Sequence, residues 1–324
     1  MLTKQDAIDK MNELGKAKIP FLFIIDFLMQ QPLVFRLNEI PSNISFTLKN
    51  FEYNNKRIAK LVEKIKLTKK PVDYSYYLTA FNKVIENLKY GNSYLINLTQ
   101  PTKIRINLTL EQIYYSSSAR YKLLFDDHFV VFSPEIFVQI IDGCIYSFPM
   151  KGTIDASIKD AANVILNDPK ETAEHYTIVD LIRNDLSMVS KKVEVKRFRY
   201  IETINTNEKK LLQVSSEIKG QLPANYYENL GNIVFTILPA GSVSGAPKQK
   251  TVEIINQVEN YNRNYYTGVF GYFDGNNLDS GVMIRFIEKN GDDYIFKSGG
   301  GITLNSNPLA EYNELIDKVY VPIS

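Results

Sequence analysis

Tryptophan is absent from this chain of 324 residues, cysteine occurs once and histidine twice. A single thiol excludes an internal disulfide framework. Cys144, between Gly143 and Ile145, suits a small apolar filler of a strand. One thiol with His128 and His175 is too little for a Cys/His zinc site, which leaves carboxylates to hold any metal. Long apolar runs are also missing. The run over 21–28 is interrupted by Asp26 and falls well short of the roughly 20 residues a membrane helix needs. The first 18 residues lack the apolar stretch of a signal peptide, so the cytoplasm is the expected location. Neither sign of charge dominates, since the net formal charge is +2. The basic run Lys191, Lys192, Lys196, Arg197, Arg199 is broken by Val193, Glu194 and Val195. That pattern fits a solvated strand or loop, and no nucleic-acid partner is expected.

Hydrophobic residues make up 44% of the chain, enough for a large core. No repeat or linker divides it, so one catalytic domain over 1–324 is expected, with 1–90 as a supporting part and 91–324 bearing the motifs. Apolar periodicity predicts helices over 4–14, 55–66, 74–89, 171–186 and 227–238, another from Pro247, and a closing helix over 308–320. Strands are predicted over 21–28, 94–107, 121–124, 129–133, 136–141, 144–148, 267–273, 278–288 and 294–298, with Asp142-Gly143 as a hairpin turn. Strands in meandering groups point to an α+β fold with antiparallel sheets.

Chemistry concentrates after Ser133. Glu171 and Glu174, like Glu311 and Glu314, stand three apart on predicted helices and share a face. Lys318 follows Glu314 by one turn, so that face offers a carboxylate to a metal and an ammonium to an anion. Gly299, Gly300 and Gly301 follow a predicted strand, where bare backbone lets an anionic ligand approach. A second glycine-rich element, Gly241-Ser242-Val243-Ser244-Gly245-Ala246-Pro247-Lys248, leads into a helix start whose amides suit an anion. It lacks the Gly-Lys-Ser/Thr ending of a P-loop. Arg285 is placed inside an apolar strand, where a buried guanidinium needs an anionic partner.

In this order the segments Ser133-Pro134-Glu135, Pro149-Met150-Lys151-Gly152-Thr153, Lys170-Glu171-Thr172-Ala173-Glu174-His175, Val179-Asp180-Leu181-Ile182-Arg183-Asn184-Asp185-Leu186, Gly241 to Lys248, Ile284-Arg285, Gly299-Gly300-Gly301-Ile302 and Glu311-Tyr312-Asn313-Glu314 resemble the chorismate-utilising enzymes. That family includes the anthranilate, aminodeoxychorismate, isochorismate and salicylate synthases. The resemblance runs from about Gly91 to Tyr320. It implies two packed antiparallel β-sheets with helices outside, chorismate as substrate and Mg²⁺ as cofactor. It assigns Glu174 and Glu314 to the metal and Glu135 to protonating the departing C4 hydroxyl. Thr153, His175, Ser244, Gly245, Arg285, Gly300, Gly301 and Lys318 are its substrate-binding residues. Hydroxide leaves poorly, so Glu135 must keep its proton, which requires burial.

Lys151 selects the branch. The aminodeoxychorismate synthases characteristically carry lysine there, as a nucleophile toward C2, where many relatives have alanine. The resemblance therefore implies an aminodeoxychorismate synthase component I, on the route to 4-aminobenzoate and folate. Leu95 stands where the hydroxylating branch has a water-activating lysine, and leucine cannot be a base. His175 is typical of anthranilate synthases, which makes component I of that enzyme the runner-up. A catalytically inactive chorismate-binding protein is the non-enzyme alternative. Cys144 lacks a nucleophile elbow and the two histidines leave no triad, so ammonia is expected from a separate glutamine amidotransferase subunit.

Overall fold

Two breaks in otherwise continuous apolar strands organise the molecule. Proline has no N–H to give a ladder, and Pro134 separates the strands Phe129–Ser133 and Ile136–Ile141. The second break follows Leu278–Val282 and precedes Phe286–Asn290, with Arg285 in the left-handed region at φ 53°. Each break carries the chain from one sheet into another. The two crossings hold each other, Val282 N–H donating to the Glu135 carbonyl and Phe132 N–H to that of Arg285, both at 3.1 Å. Glu135 and Arg285 therefore meet at the seam between the sheets. The single strand expected over 278–288 is corrected here: it is two strands in two sheets, and Arg285 sits in the bend between them.

The computed structural model describes residues 2–49, 51–54, 65–205 and 210–322. Each sheet has nine strands among these, and every strand pair is antiparallel. The expected α+β arrangement of two antiparallel sheets with helices is present. One core cluster packs the helix Lys4–Lys16 against the first sheet through Met11, Phe21, Phe23 and Phe273. Each such buried side chain contributes roughly 2–3 kcal/mol by leaving water. The helix Tyr74–Lys89 falls where the periodicity placed it. Most of the helix expected over 55–66 lies outside the described residues. The helix expected over 227–238 is a 3-10 turn, Tyr226–Asn229, running into the short helix Leu230–Thr236.

One further expectation is met and one is corrected. The basic run begins a long strand, Lys191–Asn205, paired with Lys210–Gln221. Arg197 is offset there by Glu217 at 2.8 Å, and Lys196 by Glu194 at 2.7 Å. The glycine run is no turn after a strand but part of one, Asp293–Ile302, with Gly300 opposite Leu98 and Gly301 opposite Asn97. Glycine is required because a Cβ on Gly299 would lie 2.4 Å from the Leu98 carbonyl oxygen.

Two helices reach the seam with the same start. In Pro169–Ser187 the Asp168 side chain caps Glu171 N–H, and in Pro308–Asp317 Asn307 caps Leu309 and Ala310. Proline begins both, which costs nothing where the amide has no intrahelical partner. Each start places two glutamates in the first two turns, where the helix dipole favours negative charge. Among the described residues no helix is long and apolar enough to cross a membrane.

Candidate active site

The seam opens into a cavity of about 290 Å³. Eight of the residues expected at the site line it: Glu135, Lys151, Thr153, Arg285, Gly300, Gly301, Glu314 and Lys318. Lys151 arrives on the strand Met150–Asp155, at a bulge where Gly152 has φ 77°. A bulge re-aims the neighbouring side chains. A side chain at 152 would also press on Glu171, whose Oε2 would stand 3.0 Å from its Cβ. Bare backbone at Gly300 and Gly301 leaves room for the acids and ammoniums opposite. A Cβ on Gly300 would meet Glu311 Oε2 at 3.3 Å and Lys318 Nζ at 3.7 Å, and one on Gly301 would meet Lys151 Nζ at 3.7 Å.

Charge in the cavity is uneven. Burial pushes the Glu135 carboxyl up from the ordinary carboxylate range, opposed in part by the Ser242 hydroxyl that donates to it and by Lys151 and Lys318. The Arg285 guanidinium donates to the Lys318 carbonyl at 2.5 Å and lies 4.6 Å over the Tyr320 ring. It has no carboxylate partner among the described residues, and burial disfavours its charge. A buried cation without a counter-ion facing a cavity suits an anionic ligand. Lys318 is less free than expected: it pairs with Glu314 at 2.7 Å and donates to the Gly299 carbonyl at 2.8 Å.

Glu174 lies behind this cavity, with Lys151 3.1 Å from its Oε2 and Lys170 3.8 Å from its Oε1. Lys170 also reaches Glu311 at 3.8 Å. Among the described residues no three acidic, histidine or cysteine side chains are preassembled as a metal cage. The donor set still fits a hard divalent cation. Its ligands are all carboxylate oxygens from two helix starts beside a bare glycine strand, and such an ion takes one or two carboxylates with waters and substrate oxygens.

Three other expected residues stand outside the cavity lining. Ser244 Oγ donates to the Ala240 carbonyl at 2.8 Å, and the Ser244 carbonyl accepts from Asn97 N–H at 2.8 Å. Gly245, at φ 137°, pairs with Ile96 so closely that a Cβ would lie 1.8 Å from the Leu95 carbonyl oxygen. His175 is fully buried, its Nε2 2.7 Å from Ser216 Oγ and its Nδ1 without a partner among the described residues. It does not line the cavity. Sequence reasoning missed Ser242, the donor to Glu135, and gave no role to Lys170 or to Lys297, a buried cavity-lining lysine paired with Glu288 at 2.6 Å. For Ser242 the signal was the glycine-rich element itself. Lys170 and Lys297 carried none beyond their positions near acids.

The histidine gives a pH prediction. Burial, then Arg199 and Lys151, lower its pKa from 6.5 to about 4. The unfolded chain therefore binds the extra proton first, and stability present above pH 6.5 is lost as pH falls toward about 4. The loss amounts to roughly 3 kcal/mol at 1.36 kcal/mol per unit. Urea unfolding at a series of pH values is expected to show this slope in the wild type and its loss in His175→Asn. An unchanged slope would assign the acid sensitivity to another group.

A seam between two sheets that gathers an acid, an amine beside a carboxylate and a guanidinium without a carboxylate partner suits a small anionic ligand. The profile of the chorismate binding enzymes matches residues 34–324, and the chain belongs to that family. It is 50% identical over 322 residues, 99% of this chain and 98% of the other, to a protein of Haemophilus influenzae described as an uncharacterized PabA-like protein. It is 36% identical to anthranilate synthase component 1 of Pseudomonas aeruginosa over 60% of this chain and 40% of that one. With aminodeoxychorismate synthase component 1 of Bacillus subtilis it shares 30% over 74% of this chain and 54% of that one. The fold matches the crystal structure of a putative 2,3-dihydroxybenzoate-specific isochorismate synthase from Bacillus anthracis with TM-score 0.72, at 20% identity, over 96% of this chain and 87% of that one.

Proposed function

We propose that this chain aminates chorismate at C4 to give 4-amino-4-deoxychorismate, the reaction of an aminodeoxychorismate synthase component I. The observation that carries this reading is the Lys151 amine lining the same cavity as Glu135, a carboxyl whose pKa burial raises. Chorismate carries two carboxylates, and Arg285 offers one of them a buried cation. Lys151 Nζ attacks C2, the ring double bond shifts, and the C4–O bond breaks as Glu135 gives its proton to the departing hydroxyl, releasing water. The C2-bound amine then returns a proton to the Glu135 carboxylate. Ammonia adds at C4, both ring double bonds shift back, and the C2–N bond breaks as a proton from the new C4 ammonium passes to the leaving Lys151 nitrogen. Mg²⁺, held by Glu174 and Glu314, would supply positive charge to the ring carboxylate. Leu95 supports amination over hydroxylation: its side chain abuts Gly301, 3.0 Å from where a Cβ would stand there, and puts hydrocarbon near Lys151.

Incubating the purified protein with chorismate, Mg²⁺ and ammonium, then weighing the product, tests the reading. Retention of the enolpyruvyl group is expected. Its loss as pyruvate would give anthranilate and overturn the C4 reading. Ammonia is expected to come from a glutamine amidotransferase subunit, because Cys144, half-buried on a hairpin strand, lies on no nucleophile elbow. Ammonium salts alone should therefore support turnover, and glutamine only once that subunit is added. Glutamine-dependent product from the single chain would defeat the partner assignment.

A further inference from the structure

Glu174 on one helix start and Glu311 and Glu314 on the other are each met by an ammonium of the chain. Lys151 pairs with Glu174 and Lys318 with Glu314, and both of these lysines line the cavity. Lys170 differs. Its ammonium makes only two ion pairs among the described residues, at 3.8 Å to Glu174 on its own helix and 3.8 Å to Glu311 on the other. It does not line the cavity, and its side chain is 52% exposed while those of Glu174 and Glu311 are 13% and 5% exposed. The side chain is thus half at the surface while its ammonium meets two shielded carboxylates. Burial raises the pKa of Glu311, the Ser306 hydrogen bond and Lys170 oppose it, and Glu314 and, across the gap, Glu174 add to it, so Glu174 and Glu311 place like charge on either side of the Lys170 ammonium.

Resting on the reading of Glu174 as a metal ligand, we propose that Lys170 is a built-in placeholder for the divalent ion. It bridges the two acidic helices while the site is without metal and swings out to solvent as the metal enters. The geometry gives the reason. Both carboxylate oxygens lie 3.8 Å from one nitrogen, so they stand no further apart than twice that distance. This is within the roughly 8 Å that a hydrated divalent ion spans. An ion held by Glu174 and Glu314, with Glu311 beside it, meets the same carboxylates as the ammonium, and the two cations repel each other. The exposed four-carbon stem lets Lys170 leave without moving either helix. Arrival of the ion would also draw Glu174 from Lys151 and release that amine into the cavity.

The test is calorimetric titration of the whole chain with Mg²⁺ alone, with melting temperatures measured in a chelator and in excess Mg²⁺. Lys170→Met is expected to bind Mg²⁺ at least tenfold more tightly than wild type, about 1.4 kcal/mol. It should melt lower in chelator, and Mg²⁺ should raise its melting temperature by more than it raises that of wild type. Lys170→Arg, which keeps the charge, should stay near wild type in affinity. An ordinary surface ion pair would lower the melting temperature slightly and leave the dissociation constant unmoved. Unchanged or weaker Mg²⁺ binding by Lys170→Met, in a protein whose binding is lost in Glu174→Gln, overturns the placeholder role alone. Absence of Mg²⁺ binding by wild type, or undiminished binding by Glu174→Gln, overturns the metal reading together with it.

Discussion

Glu174→Gln is expected to turn chorismate over at least about 10³-fold more slowly than wild type, a loss of roughly 4 kcal/mol in transition-state stabilisation. Glutamine keeps the shape and one oxygen of the carboxylate but not its charge, and a hard divalent cation needs that charge. The fold should survive. Glu174 sits one turn inside a capped helix, and its partners Lys151 and Lys170 are 26% and 52% exposed, so water can take over their solvation. Glu314→Gln is expected to match it in turnover, with Lys318 keeping its bond to the Gly299 carbonyl. Steady-state rates across a wide Mg²⁺ range, beside melting curves, check both. Turnover within tenfold of wild type by either variant at saturating Mg²⁺ would remove that residue from the metal site.

What the sequence made legible was local. The 74–89 helix, the hairpin around Asp142-Gly143 and the strand 129–133 were readable because each carries its own periodicity and its own stop signal. The residues of the cavity were readable through their order along the chain. What stayed hidden depends on partners distant in sequence. The bend at Arg285 has no glycine or proline to mark it, and its left-handed conformation is held by the first crossing through Glu135 and Phe132. The strand status of Gly299, Gly300 and Gly301 comes from pairing with residues about two hundred positions earlier, where β propensity alone counts against glycine. The hairpin of Lys191–Asn205 with Lys210–Gln221 was obscured because its charges mask the alternation, and three register shifts interrupt it. Even the ion pairs that tie Lys170 across the two helices required the fold before they could be seen.

Lys151→Ala carries the other large effect, because it separates covalent catalysis from positioning. If the amine forms a bond to C2, its removal costs about 10³-fold or more in ammonia-dependent turnover, with residual activity from binding and electrostatics. Alanine alone is ambiguous, since it also strips Glu174 of the ammonium 3.1 Å away. Lys151→Arg resolves this. Arginine keeps a positive charge against Glu174 but is never deprotonated near neutral pH, so it cannot attack. Both variants are expected to be about equally impaired, and the alanine variant, with C2 left open, to yield a trace of C2-aminated product. Intact-protein mass spectrometry of wild type with chorismate and Mg²⁺, without ammonia, should show a species heavier by chorismate less one water. That mass follows from forming C2–N while losing the C4 hydroxyl, and neither variant should show it. Adding ammonium should discharge the adduct as free product. Recovery of wild-type turnover by Lys151→Arg would mean that the position needs charge rather than a nucleophile, and the covalent route would be wrong.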